Sequence, residues 1–334
     1  MFHMLTPFAR LAAAAFLICS VSTAHAGDFL FQLDNDKVVD TDRHYTNGVR
    51  VAYTMDTPFE RVTNTSQALA KILLFQDGGD LRTGWVFGQD MYTPEDVDTY
   101  APDPLDRPYA GWLYGGLSAQ QDLGNRQDTY EFNVGIIGPS AKAGQTQNSI
   151  HRVLNVSVSH GWRSQIGHEI GIQGTRMLKL RTEPFDIWGL DSTKYDFIGH
   201  GTAQLGNVRT GAALGGTVRL GGNLAEDFGP VYGIFALPQK RPKSFTWSVF
   251  LGGEARAVAR DIFLDGNSFR NSPDVKKEPY VFEGRVGFAV HAPFDGKYWL
   301  TGARLSVNMV QRSREFQAQN KADRYGSVQL TLNF

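Results

Sequence analysis

The chain has 334 residues, 33 Lys and Arg against 34 Asp and Glu, and a formal net charge of −1. This balance gives no basic surface for nucleic acid. With 36 glycines, 12% aromatic residues and no long helical apolar stripe, an all-helical protein is also excluded.

Residues 1–26 read as a secretory leader: Arg10, an apolar run from Leu11 to Val21, and Ala24-His25-Ala26 as the small-residue cleavage site, with cleavage after Ala26. The run is shorter than the roughly 20 residues of a spanning helix. Phe16-Leu17-Ile18 lacks the small residue expected before a lipidated Cys19. The expected mature chain, residues 27–334, then contains no Cys, so backbone pairing and packing must stabilise it without disulfides.

Apolar residues next recur at every second position, as in a strand with one apolar face. Phe29, Phe31 and Leu33 form the first series and Val49, Val51 and Tyr53 the second. Tyr130, Phe132, Val134 and Ile136 follow, then Trp247, Val249 and Leu251, then Leu305, Val307 and Met309. Val328, Leu330, Leu332 and Phe334 close the chain and resemble the terminal strand of outer-membrane barrels. The spacing predicts an all-β, transmembrane antiparallel barrel of about twelve strands. They lie at about 28–36, 45–55, 82–90, 107–120, 127–137, 168–181, 193–205, 210–222, 243–258, 278–291, 298–312 and 322–334. An even count places both termini on the periplasmic side, so the connections near 37–44, 91–106, 138–167, 206–209, 259–277 and 313–321 face outward. Segment 57–81, with Ala68, Ile72 and Leu73 at helical spacing, is a long periplasmic connection.

Three outward segments carry the polar groups. Strand one ends in Asp34-Asn35-Asp36 and strand two opens with Tyr45-Thr46-Asn47-Gly48. Alternation puts Asp36 and Thr46 on the inward face or toward the rim and Tyr45 with Val49 and Val51 toward lipid; Asn35 needs a bulge, or a place above the lipid boundary, to join the first two. Asp34, Asp36, Asp40 and Asp42 make this turn acidic, suited to a hard cation or simply to solvent. The second segment follows Gly138-Pro139-Ser140: Ala143 to Leu154 reads as a short extracellular helix with Gln147, His151 and Leu154 near one face. His is the usual general base near neutral pH, and His44, His160 and His168 compete with His151 for that role. The third, Asp106-Arg107-Pro108-Tyr109-Ala110-Gly111-Trp112-Leu113-Tyr114, begins strand four. Trp112 and Tyr114 suit an interfacial girdle; Arg107 could pair with Asp106 or meet a phosphate. No Ser-His-Asp arrangement, G-x-S-x-G or H-E-x-x-H is legible.

Taken together, Asn35-Asp36, Thr41-Asp42-Arg43, Tyr45-Thr46-Asn47-Gly48, Asp106 to Trp112, and Gly138-Pro139-Ser140 with Gln147, His151, Gly161-Trp162 and Gln165 resemble the outer-membrane lipid A deacylase family. The blocks lie in order through the first half of the mature chain. The resemblance implies a twelve-stranded outer-membrane barrel whose partner is lipid A, or lipopolysaccharide, in the outer leaflet. It implies a monomeric, Ca2+-dependent ester hydrolase that removes the 3′-O-linked acyloxyacyl group. By position, His151 is implied as catalytic base, Asp36 as calcium ligand, Asn35 and Thr46 as their partners in the site, and Gln147 as a support for the base or a substrate contact; Arg107, read from the rim itself, is the other expected substrate contact. Where many relatives have Asn-Glu-Pro after Gly-Trp, this chain has Gly167-His168-Glu169-Ile170, which leaves the role of Glu169 open. The alternatives are an outer-membrane phospholipase or other acyl hydrolase, and a porin-like barrel without catalysis.

Overall fold

The computed structural model describes residues 27–36, 44–56, 78–155, 157–230, 237–238, 241–295 and 299–334, without the side chains of Thr46, Leu154 and Asp191. The leader, the turn residues Asp40 and Asp42, and the helical pattern near Ile72 lie outside the described residues.

Twelve strands close an antiparallel barrel. In chain order they are β1 (Gly27–Asn35), β2 (His44–Asp56), β3 (Asp80–Thr93), β4 (Ala110–Leu123), β5 (Arg126–Ile137), β6 (Glu169–Arg181), β8 (Leu190–Gly206), β9 (Arg209–Gly222), β10 (Thr246–Asp261), β11 (Tyr280–Pro293), β12 (Gly302–Arg312) and β13 (Asp323–Asn333). A short strand absent from the sequence reading, β7 (Phe185–Ile187), folds back on β8. Each barrel strand pairs with its sequence neighbour. The seams are β6 with β8, and β1 with β13, where Phe29 faces Leu332 and Asn35 faces Gly326. Among the described residues the twelve strands thus close on themselves, the condition for crossing a membrane with strands. No helix among the described residues is long and apolar enough to cross one.

The alternation in sequence becomes two surfaces. Phe87, Leu117, Phe132, Leu214, Leu251 and Phe282 are exposed on the outside, as a lipid-facing band requires. Inside, charged groups are buried and paired. Arg50 reaches Glu131, Arg219 lies between Asp196 and Asp227, and Arg312 meets Glu283 at 2.9 Å. The connection from β9 to β10 enters the lumen at the end carrying the chain termini. Asp227 joins Arg219 to Arg304, the carbonyls of Phe228 and Pro230 accept from Lys179 at 3.2 and 2.8 Å, and Leu237 packs on Leu30, Ala52 and Val86. Two helices matter here, α1 (Ala143–Leu154) and, at the opposite end from the termini, the short α2 (Ile262–Asp265), which inserts Phe263 to stack on Tyr92 at 4.3 Å. Tyr45, Trp112, Tyr114 and Tyr325 belong to the same cluster.

Two expectations change here. Asp106 to Tyr109 precede strand four, which begins only at Ala110; Pro108 has no N–H to give a ladder. Trp112 and Tyr114 are not a lipid-facing girdle. They share the lumen face with Ala110, and Gly111, Leu113, Gly115 and Leu117 take the outer one.

Candidate active site on the outer wall

The site begins with a break in strand parity. β2 pairs with β3 as Tyr45↔Tyr92 and then Asn47↔Met91, so Thr46 is the extra residue of a β-bulge. The bulge turns Tyr45 inward, against the simple alternation. Its hydroxyl donates to Asp34 Oδ2 at 3.0 Å, and its ring lies 5.1 Å from Tyr325 and 5.5 Å from Tyr92. The bulge therefore lies in β2 rather than at Asn35. Asn35 keeps the alternation of β1, on the opposite face from Gln32 and Asp34, whose side chains bond inside the barrel. Asp36 is buried in the bend that ends β1, so the pleat does not dictate its direction.

Four ladders then align one row across the outer face near the rim: Gly111↔Met91, Met91↔Asn47, Asn47↔Asn35 and Asn35↔Gly326. Helix α1 (Ala143–Leu154) sits on this wall. A Cβ on Gly111 would lie 2.5 Å from the Ala143 Cβ, and Met91, Tyr109, Ala143 and Trp162 form one buried cluster. Gln89 Nε2 donates to the Ala141 carbonyl at 2.6 Å, tying the turn before α1 to β3. Gly138 (φ 83°) ends β5 and Pro139 opens the 3₁₀ turn that redirects the chain. Gly144 lets the Trp162 ring approach the helix, since a Cβ there would be 2.7 Å from the indole.

On α1, Gln147 and His151 are both buried, one turn apart. The Trp162 indole N–H donates to Gln147 Oε1 at 2.7 Å. An indole only donates, so this bond fixes which end of the amide is oxygen. Gln147 Nε2 has no hydrogen-bond partner among the described residues. His151 Nδ1 is 2.5 Å from the Ser157 carbonyl. A carbonyl only accepts, so Nδ1 carries the hydrogen and Nε2 holds the lone pair of the neutral ring.

The competing histidines have other surroundings. His44 (φ 64°) is buried between Asp106 (Nε2, 3.3 Å) and Asp323 (Nδ1, 2.7 Å). Burial alone would raise the Asp106 carboxyl, but the bonds from His44 and the Glu95 N–H outweigh it and hold it below the usual carboxylate range. His160 stacks on Tyr100 at 4.6 Å. His168 Nδ1 lies 3.0 Å from Ser140 Oγ, a pairing invisible in the sequence, and both residues are exposed. Arg107 is fully buried, its Nη1 2.9 Å from Glu315 and its guanidinium over Tyr92, so its contacts order the rim. Glu169 accepts from Asn207, Asn267 and the Ser268 N–H, joining three connections of the same rim.

A closed twelve-stranded barrel with an apolar outer band defines an outer-membrane protein. The family model described as outer membrane protein LpxR matches residues 8–334, and the chain belongs to that family. The solved structure of LpxR from Salmonella typhimurium shares the fold at 20% identity and a TM-score of 0.73, covering 92% of this chain and 100% of that one. The β domain of the Bordetella autotransporter BrkA is 9% identical with a TM-score of 0.45, covering 93% of this chain and 100% of that one. No curated protein matches the chain.

Proposed function

We propose that this protein is an outer-membrane ester hydrolase that removes the 3′-O-linked acyloxyacyl group from lipid A, with His151 as general base. The observation that carries this reading is His151 itself: buried, its tautomer set by the Ser157 carbonyl, on a helix seated against the outer wall. A base in that place meets a lipid, whereas a base in the lumen would not. α1 packs on β4 and β3, and β2 and β1, which carry Asn47 and Asn35, follow β3 in the wall.

In this mechanism His151 Nε2 takes a proton from water as the oxygen attacks the ester carbonyl carbon. The tetrahedral intermediate collapses, the bond to the sugar 3′ oxygen breaks, and His151 returns the proton to that oxygen. The products are the free acyloxyacyl acid and a 3′-hydroxyl. Asn35 and Thr46 would position the water and the ester, and Gln147, one turn before His151, would contact the substrate or support the base. For Ca2+, the donors nearby are hard oxygens, the buried Asp36 carboxylate and the Asn35 amide, and no group of three His, Cys, Asp or Glu among the described residues forms a metal cluster. Asp36 would hold the ion with amide and main-chain oxygens. Bound calcium would polarise the ester carbonyl as a Lewis acid. Arg107 stays a rim residue, bonded to Glu315.

The Ser140–His168 contact favours a second reading, an acyl hydrolase with a serine nucleophile. Water competes for both exposed groups, and the described hydrogen bonds give His168 no orienting partner on its other nitrogen. A porin is disfavoured by the buried ion pairs and by the β9–β10 connection inside the lumen. The deciding experiment is mass spectrometry of lipid A and phospholipids from cells expressing the protein, with and without chelator. Loss of the 3′-O-linked group, abolished by chelation and unaffected by Ser140→Ala, is expected. Unchanged lipid A would overturn the reading.

A further inference from the structure

We infer that Asn148 is a positioning residue for His151, acting through the main chain of residues 157–159; this rests on the reading of His151 as the base. The Asn148 amide makes two bonds to one residue. Its Nδ2 donates to the Ser159 carbonyl at 3.1 Å and its Oδ1 accepts the Ser159 N–H at 2.9 Å. Together they fix the orientation of the amide and hold the returning segment against α1 in one register. Two residues earlier in that segment is the Ser157 carbonyl that takes the His151 Nδ1 hydrogen. The anchor is extended by the His160 N–H, which donates to the Val97 carbonyl at 3.0 Å. Ser159 is buried, so water is a poor replacement for the lost bonds.

The imidazole Nδ1 hydrogen is thus held by a peptide carbonyl. A carbonyl can do this only while its peptide is held still. Asn148 lies three residues before His151 on the same helix, so the clasp and the base move together.

The test uses the full-length barrel in detergent with 15N-labelled histidine, the His151 ring signals being assigned by their loss in His151→Gln. Wild type should show His151 protonated at Nδ1. Asn148→Ala should give a mixture of tautomers and lower kcat on the order of 10-fold to 100-fold, with KM within about twofold. Asn148→Asp keeps the bond from the Ser159 N–H but cannot donate to its carbonyl, and should fall between; it also serves if the Ala variant does not fold. Wild-type tautomer signals in the variants, or an unchanged kcat, would overturn the inference, as would failure of both variants to form the barrel. A wild-type protein that leaves lipid A untouched would refute the deacylase reading, and the tautomer comparison would still decide the role of Asn148.

Discussion

Asn35 and Asn47 stand opposite each other in the β1–β2 ladder, and Asn47 is the first residue beyond the bulge that turns its neighbour Tyr45 into the barrel. One strand end thereby serves two surfaces. Tyr45 bonds to Asp34 among the lumen tyrosines, and the two asparagines join the outer row on which α1 is seated.

Replacing His151 by Ala should lower deacylation by about 10²-fold to 10⁴-fold, the usual range for a general base. The variant should still fold, since His151 lies on α1 and outside the strand ladders. Mass spectrometry of lipid A measures the first expectation and heat-modifiable migration the second. Wild-type processing would remove His151 from the mechanism.

Gly111 tests the seating of the helix. Gly111→Val places side-chain atoms where the Ala143 Cβ already lies, 2.5 Å from the first new carbon. Overpacking of this kind costs about 1–3 kcal/mol, and lifting α1 relieves it more readily than bending a paired strand. Activity should fall sharply and the barrel should persist. Equal loss of both would mean that α1 is part of the folding core.

The rim gives an acid limit to stability. Burial alone would raise the Glu315 carboxyl, but Arg107 and Arg312 outweigh that and hold it well below the usual value. A carboxyl depressed in the folded state stabilises the fold above its unfolded value, about 4.3. That contribution is lost as pH falls from there toward the folded value. Thermal unfolding of the wild type should therefore be nearly flat above about pH 5 and drop below about pH 4. Glu315→Gln leaves Arg107 buried without its carboxylate, so it should destabilise at neutral pH by about 3–5 kcal/mol and weaken the acid dependence. A midpoint within error of wild type would refute this.

Asp36→Asn should abolish calcium-dependent activity and leave the barrel intact. Isothermal titration of the wild type with calcium alone should show binding that the variant lacks. Equal binding by both proteins would place the ion elsewhere.

Much of the molecule was legible from local pattern. The first two strands were placed at about 28–36 and 45–55, against Gly27–Asn35 and His44–Asp56 in the structure. Period-2 alternation under a lipid boundary leaves little freedom. Helix α1 was equally legible, since Pro139 and the Gln147–His151 spacing mark its approach and its face. The sequence pattern reads Tyr45 and Trp112 toward the membrane, and both lie in the lumen cluster. A bulge reverses parity without altering composition, and an aromatic in a lumen-facing position reads like one in a membrane girdle. Ser140 and His168, 28 residues apart, could not be paired by spacing alone.

The barrel, its strand count and the chemistry-bearing blocks are written in local pattern, because closure in lipid forces every strand to alternate and every backbone group to pair. Which side of the wall those blocks use depends on contacts between segments. The bulge at Thr46, the absence of a side chain on Gly111 and the clasp of Asn148 on Ser159 are relations that sequence spacing alone does not pair. Together they seat α1 on the outer face, where a buried histidine can meet a lipid.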